Sequence, residues 1–195
     1  MNIKKFLLAS LGGAIIGVGV GIILYANIGS DTVTVFQDGL HVFLNVSYGQ
    51  ASRIYNFSLI VLVLIFARKY FGIGTLISAI IVGYLIDITY DLMALTGINT
   101  SFYIALIIFL VGMVIYTLGL ALLIRCELGM NCLDSLLYKL IDLTHFQYSY
   151  IRIFVDILLT LVGYLLGGVF GIGTIISVVI TGPLVEFFSK KKETV

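Results

Sequence analysis

Charge is what this chain has least of. Only 11% of its 195 residues are charged and a single proline interrupts it, against 61% apolar residues and a mean hydropathy of +1.17. Soluble domains carry about a quarter charged residues, so this composition argues against the soluble enzyme classes and predicts a polytopic membrane protein. The net charge of +1 supplies no basic field for nucleic acid. Two cysteines, Cys126 and Cys132, cannot form a disulfide framework, and neither has His or Cys partners at metal-ligand spacing. No metal and no cofactor are therefore expected. No Ser/His/Asp, paired-carboxylate or histidine-cluster arrangement stands at an interpretable spacing, so no catalytic residue is assigned and no enzyme is expected.

What the chain does have is long apolar runs. Lys4 and Lys5 precede the first of them in the charge order of a signal peptide. The run itself, Phe6 to Ala26, exceeds the roughly 7 to 15 residues of a signal peptide's apolar region and fits the ~20 of a spanning helix. Six spans are predicted: Phe6 to Ala26, Ile54 to Ala67, Ile73 to Leu95, Phe102 to Ile124, Ile153 to Val169 and Ile172 to Phe188. The second is short and spans only if Arg53, Arg68 and Lys69 reach the interfaces. With a cytoplasmic N-terminus, Lys4, Lys5, Arg68, Lys69, Arg125, Lys139, Arg152, Lys190, Lys191 and Lys192 fall inside and Arg53 alone outside, the positive-inside pattern. The expectation is a multi-pass protein of the bacterial cytoplasmic membrane, with both termini cytoplasmic and the lipid bilayer as its first partner.

An internal repeat organises the chain as one membrane domain over 1–195. Phe71 to Asp87 and Phe170 to Glu186 are identical at ten of seventeen positions, at an offset of 99. Earlier, at an offset of 100, Gly12 pairs with Gly112, Gly19 with Gly119 and Gly29 with Gly129; later, Arg53 pairs with Arg152. Repeat 1 covers about 6–95 and repeat 2 about 102–188, followed by a basic tail at 189–195. Three spans per repeat is an odd number, so the second copy enters the bilayer from the opposite side. The predicted fold is all-α, with six transmembrane helices as two inverted three-helix repeats, each with a short amphipathic or re-entrant helix after its first span. Secondary transporters recurrently place substrate sites where such halves meet.

The connecting segments carry most of the polarity. Thr34, Gln37, Asp38, His41 and Asn45 form one helical stripe in the first; Asp134, Tyr138, Lys139, Asp142 and His145 repeat it in the second. Asp31 and Asn131 hold equivalent positions as N-cap candidates, with Thr34 and Asp134 three residues on. Two alternatives stand: capped interfacial helices over 31–46 and 132–145, or re-entrant half-helices whose N-termini point into a cavity and favour an anionic group. Asp31, Asp38, His41, Asn131, Asp134 and Tyr138 are the candidate cap or substrate-cavity residues.

The run Glu127-Leu-Gly-Met-Asn-Cys-Leu-Asp134, then Gly163-Tyr-Leu-Leu-Gly-Gly168, and Gly171-Ile-Gly-Thr174 followed by Gly182-Pro-Leu184 resemble the bacterial YczE/YitT-like family of integral membrane proteins. The first-half counterparts are Ile28-Gly-Ser-Asp31, Gly39-Leu40 and Gly72-Ile-Gly-Thr75. Where that family carries Pro-Trp-Asp after the glycine, this chain keeps only Asp134 in the second copy and has Thr32, Val33 and Thr34 in the first. The resemblance covers nearly the whole chain and implies an architecture, not an activity.

Acidic residues inside spans cost about 2.5 to 3.5 kcal/mol each at a helix centre. Asp87 lies about 21 Å into the third span, by the helical rise, with Asp91 one turn on and Glu186 as its repeat mate. The three are candidate ion or proton sites; the alternative puts Asp87 and Asp91 in the outer interface, in reach of water. Asp156, four residues after Arg152, is a candidate ion-pair partner. Gly13, Gly17 and Gly21 make a smooth face on the first span, for packing within the chain or for a dimer seam. The Gly-Ile-Gly runs are expected to turn the chain tightly between helices. The leading functional expectation is a permease for a small polar or ionic solute, ion- or proton-coupled. The alternatives are the substrate-binding subunit of a multi-component importer, and a scaffold or regulator that binds a partner membrane protein.

Overall fold

The computed structural model describes residues 3–68, 73–98, 101–126 and 132–189, and among them there are eight helices and no strand. They are α1 (Ile3–Ala26), α2 (Thr32–Leu44), α3 (Tyr48–Phe66), α4 (Ile73–Leu95), α5 (Phe102–Cys126), α6 (Cys132–Thr144), α7 (Tyr148–Leu165) and α8 (Ile172–Ser189). Among the described residues α1, α3 and α5 are long and apolar enough to cross a membrane. Large apolar side chains such as Leu7, Phe57, Ile65, Tyr103, Phe154 and Leu165 stand exposed on several helices, more apolar surface than a soluble monomer shows.

The apolar runs became helices, with two shifts at their ends. α3 starts at Tyr48, six residues before the predicted Ile54, because Ser47 and Gln50 form a reciprocal capping box. At 19 residues it is no longer short. α7 begins at Tyr148 and ends at Leu165, where Gly167 takes a left-handed φ of 101°. α2 and α6 are both 13 residues long, and the repeat mates Asn45 and His145 at their C-terminal ends share left-handed φ values of 53° and 58°. Asparagine and histidine are among the few side chains that tolerate this conformation.

In lipid, apolar burial does not drive helices together, so close backbone approach must supply the packing. Helix α1 offers two such faces. Gly12 and Gly19 meet Gly119 and the Gly112–Tyr116 stretch of α5, so the two helices run antiparallel. Gly17 and Gly21 meet Val82, Leu85, Ile86 and Thr89 of α4, which runs parallel to α1; this part of the predicted glycine face packs within the chain. Helix α4 in turn runs antiparallel to α3, with Gly83 against Gly49 and Arg53. Helix α2 runs beside α7 in the same direction, since Thr32 meets Asp156, Gly39 meets Gly163 and Val42 meets Gly167. Helices α3 and α6 pack through Tyr55, Leu59, Val63, Cys132 and Leu137.

The second Gly-Ile-Gly run works differently from the expected tight reversal. Gly171 and Gly173 have no positive φ. They let the start of α8 lie directly on Ile28 and Gly29, where the Gly173 N–H donates to the Ile28 carbonyl at 2.8 Å. The role is close approach rather than chain reversal. Its first-half counterpart begins at Gly72, outside the described residues.

Candidate functional site

The start of α2 sits against the body of α7. Asp31 caps α2, accepting from the Thr34 N–H at 3.4 Å and the Thr34 hydroxyl at 2.5 Å. The next residue, Thr32, donates its hydroxyl to Asp156 Oδ1 at 3.0 Å, while Arg152 Nε donates to Asp156 Oδ2 at 2.9 Å. The i,i+4 pair expected from the sequence is therefore present, and it is partly buried. Tyr55 of α3 reaches the same place, with Asp31, Arg152, Asp156 and Cys132 as the ionisable neighbours of its hydroxyl. Cys132 is the first residue of α6 and shares a buried cluster with Tyr55, on which Val33 and Phe36 of α2 also pack, so the N-terminal ends of α2 and α6 both lie near this tyrosine.

Tyr55 is only 6% exposed, and its hydroxyl has no hydrogen-bond partner among the described residues. Burial pushes the Asp31 carboxyl above its ordinary range, against the Thr34 and Val33 donors and the Arg152 charge, which pull it down. Burial also holds the Cys132 thiol up at about 11, which leaves it a poor nucleophile at neutral pH. The site is a polar centre that joins residues of α2, α3, α6 and α7 and holds, among the described residues, the carboxylates of Asp31 and Asp156 and the guanidinium of Arg152.

A second polar spot lies further along α2. Asp38 is buried and accepts from the Val169 N–H at 2.7 Å, which ties α2 to the chain between α7 and α8. Burial raises its carboxyl too, against the Val169 bond and the His41 charge. A cavity of about 10 Å³, room for about one water, is lined here by Asn27, Gly29, Ser30, Asp38, Tyr48 and Val169 with Ile23 and Leu24. His41 binds the Val46 carbonyl through Nδ1 and stacks on Tyr48 at 3.8 Å; Tyr48 leads to Tyr90 at 4.6 Å and Tyr90 to Tyr25 at 6.3 Å.

Asp87 stands elsewhere, at the N-terminus of α3. It accepts from the Gly49 N–H at 2.7 Å and the Ser47 hydroxyl at 2.9 Å, and pairs with Arg53 at 3.5 Å. A carboxylate is favoured at this end of the helix dipole. Arg53 also lies over the Tyr84 ring, 4.4 Å from its centroid. Asp87 thus joins α3 to α4 with its charge matched locally. Asp91 and Glu186 are exposed. Asn131 lies outside the described residues, as do the side chains of Asp134 and Tyr138. The structure brings together Asp31, Arg152 and Asp156, keeps Asp38 with His41 nearby, and sets Asp87 apart. Tyr55 and Thr32 were missed. The only available hint was a tyrosine near the start of a predicted span.

The sequence profile of the family of unknown function DUF6198 matches residues 3–190, and the chain belongs to that family. Three similar proteins are an uncharacterized protein of Haemophilus influenzae, 30% identical across 90% of this chain and 78% of the relative; the uncharacterized membrane protein YczE of Bacillus subtilis, 26% identical across 78% and 69%; and the uncharacterized protein YyaS of Bacillus subtilis, 24% identical across 94% and 92%. The resemblance read from the glycine motifs is borne out by the family match and by YczE. With the apolar helices, these matches point to a membrane location. No solved structure matches the chain.

Proposed function

We propose that this member of the DUF6198 family is a small permease for a polar or ionic solute, built from two inverted three-span repeats, with its solute site where α2 and α6 begin. Six helices cross the membrane in this reading: α1, α3 and α4 from the first repeat, α5, α7 and α8 from the second. Both termini lie in the cytoplasm.

The glycine crossing of α1 and α5 carries the proposal. Replacing each residue by its repeat mate turns the contact of Gly12 with Gly119 into that of Gly112 with Gly19, which is itself a contact of the same crossing. A contact that maps onto itself is the property of a two-fold axis. The pairing of α2 with α7 likewise exchanges with that of α3 with α6. The parallel course of α1 and α4 and the antiparallel course of α5 are the directions that inversion requires. Helix α2 follows α7 instead of lying across the helix ends, which favours a re-entrant half-helix over an interfacial one. Half-helix ends meeting between inverted repeats are a recurrent form of transporter substrate site.

The test is uptake by the purified protein in liposomes, read as current or tracer accumulation on exposure to fractionated metabolite pools. Saturable uptake that falls at least tenfold in Asp156→Asn is expected. Uptake that appears only when ATPase and coupling subunits are co-reconstituted would make the chain a binding subunit of a larger importer. A stable protein partner without uptake would make it a scaffold.

A further inference from the structure

We propose that Asp31 is the proton-binding residue of this centre and that the Tyr55 hydroxyl is its exchange partner, so that the solute moves with a proton. The proposal deepens the permease reading and rests on it for the coupling, but the proton site itself can be tested without transport.

The charge count comes first. Among the described residues, two carboxylates, Asp31 and Asp156, and one guanidinium, Arg152, act electrostatically on the Tyr55 hydroxyl. Asp156 takes the Arg152 Nε and the Thr32 hydroxyl. Among the described residues, Asp31 keeps only neutral donors at hydrogen-bond distance, the Thr34 N–H and hydroxyl. A carboxylate desolvated without a cation in contact is the group that takes up a proton.

The second observation is independent of the first. A buried hydroxyl without a partner costs about 1 to 3 kcal/mol and calls for a reason. A tyrosine hydroxyl both donates and accepts. It can donate to an ionised Asp31 and accept from a protonated one, so its partner need not be permanent. Among the described residues, the charged group that acts on Asp31 is Arg152 of α7, and Asp31, Arg152 and Asp156 together with Cys132 of α6 act on Tyr55 of α3. From α8 the nearby polar group is the neutral Ser177, whose hydroxyl lies 3.4 Å from the Ser30 carbonyl. The upward shift of the Asp31 carboxyl on burial agrees with this assignment. A metal cation would need a cage of oxygens beside the Arg152 charge, whereas a proton sits on the carboxylate oxygen itself.

The experiment is infrared spectroscopy of the full chain in lipid nanodiscs, titrated with pH in H2O and D2O. The wild type should show a protonated-carboxyl band, sensitive to deuteration, that persists to higher pH than an exposed carboxylate allows. Read in an Asp38→Asn background, since burial raises that carboxyl too, Asp31→Asn should remove it while keeping the helix cap, since Asn caps as well as Asp. Asp87→Asn should leave it. Tyr55→Phe should move its midpoint by about tenfold in proton affinity, which a purely packing role would not do. A band that survives Asp31→Asn, a band absent throughout, or a midpoint untouched by Tyr55→Phe overturns the proposal. So does a band displaced by sodium at fixed pH. Failure of uptake with this titration intact would overturn the permease reading alone.

Discussion

Arg53 and Arg152 are equivalent residues of the two halves, and their surroundings are opposite. Arg53 meets one carboxylate, Asp87, which also holds the start of α3, and an aromatic ring takes up its other face. The charges there are matched one to one and the contacts stay within one repeat. Arg152 pairs with Asp156 on its own helix, and both face Asp31 and Thr32 from the other half, under a tyrosine hydroxyl with no partner among the described residues. The two arginines hold equivalent places in the sequence. One forms a joint and the other, in the proposed inverted repeat, lies in a centre between the halves, where a change of charge can be felt by both.

Substitutions at the glycine crossings of the two helices that carry these arginines should have the largest effect. A Cβ on Gly39 would overlap the Gly163 carbonyl, and one on Gly49 the Gly83 carbonyl. Gly39→Val and Gly49→Val should each cost about 3 kcal/mol or more, read as loss of monodisperse protein after extraction. Next, Asp87→Ala should lower stability by about 2 kcal/mol through the lost charged acceptor for Gly49 and Ser47. The partly exposed ion pair contributes less than the helix cap, so Arg53→Ala should cost less than Asp87→Ala in thermal unfolding.

A smaller effect separates the two sites by pH. Because the folded-state value of Asp31 is raised, its neutral form stabilises the fold fully below the ordinary carboxylate range, and that stability is lost as pH rises through the raised value. Asp31→Asn should flatten this part of the stability profile, and Asp87→Asn should leave it in place. Smallest of all, Tyr55→Phe removes a hydroxyl that has no bond to lose. It should be neutral or stabilise by up to about 1 kcal/mol, whereas a hidden partner would make it destabilising.

Much of this was legible in the sequence because it is local or periodic. Apolar runs gave the helices, the offset of 99 to 100 gave the equivalences, and Asp31 and the Arg152–Asp156 spacing gave a cap and a pair. The start of α3 was hidden because Ser47 and Gln50 extend the helix through polar residues that hydropathy counts as loop. Asp38 and Val169 meet across 131 residues, and Thr32 and Asp156 across 124. No periodicity announces such contacts. Asp87 read as an intramembrane charge because its partners, Ser47 and Gly49, belong to that same hidden stretch. Tyr55 reads as one more large residue at the start of a span until α2, α6 and α7 are packed around it.

The inversion of the two halves is what all of this rests on, and the caps of α2 and α6 test it directly. Asn45 and His145, equivalent at an offset of 100, are both exposed and follow the C-terminal ends of α2 and α6. In a background with Cys126→Ser and Cys132→Ala, Asn45→Cys should react with a membrane-impermeant maleimide on intact cells. His145→Cys should react only after the membrane is opened. Labelling of both from the same side would contradict the inverted repeat and, with it, the placing of the Asp31 centre between two oppositely facing halves.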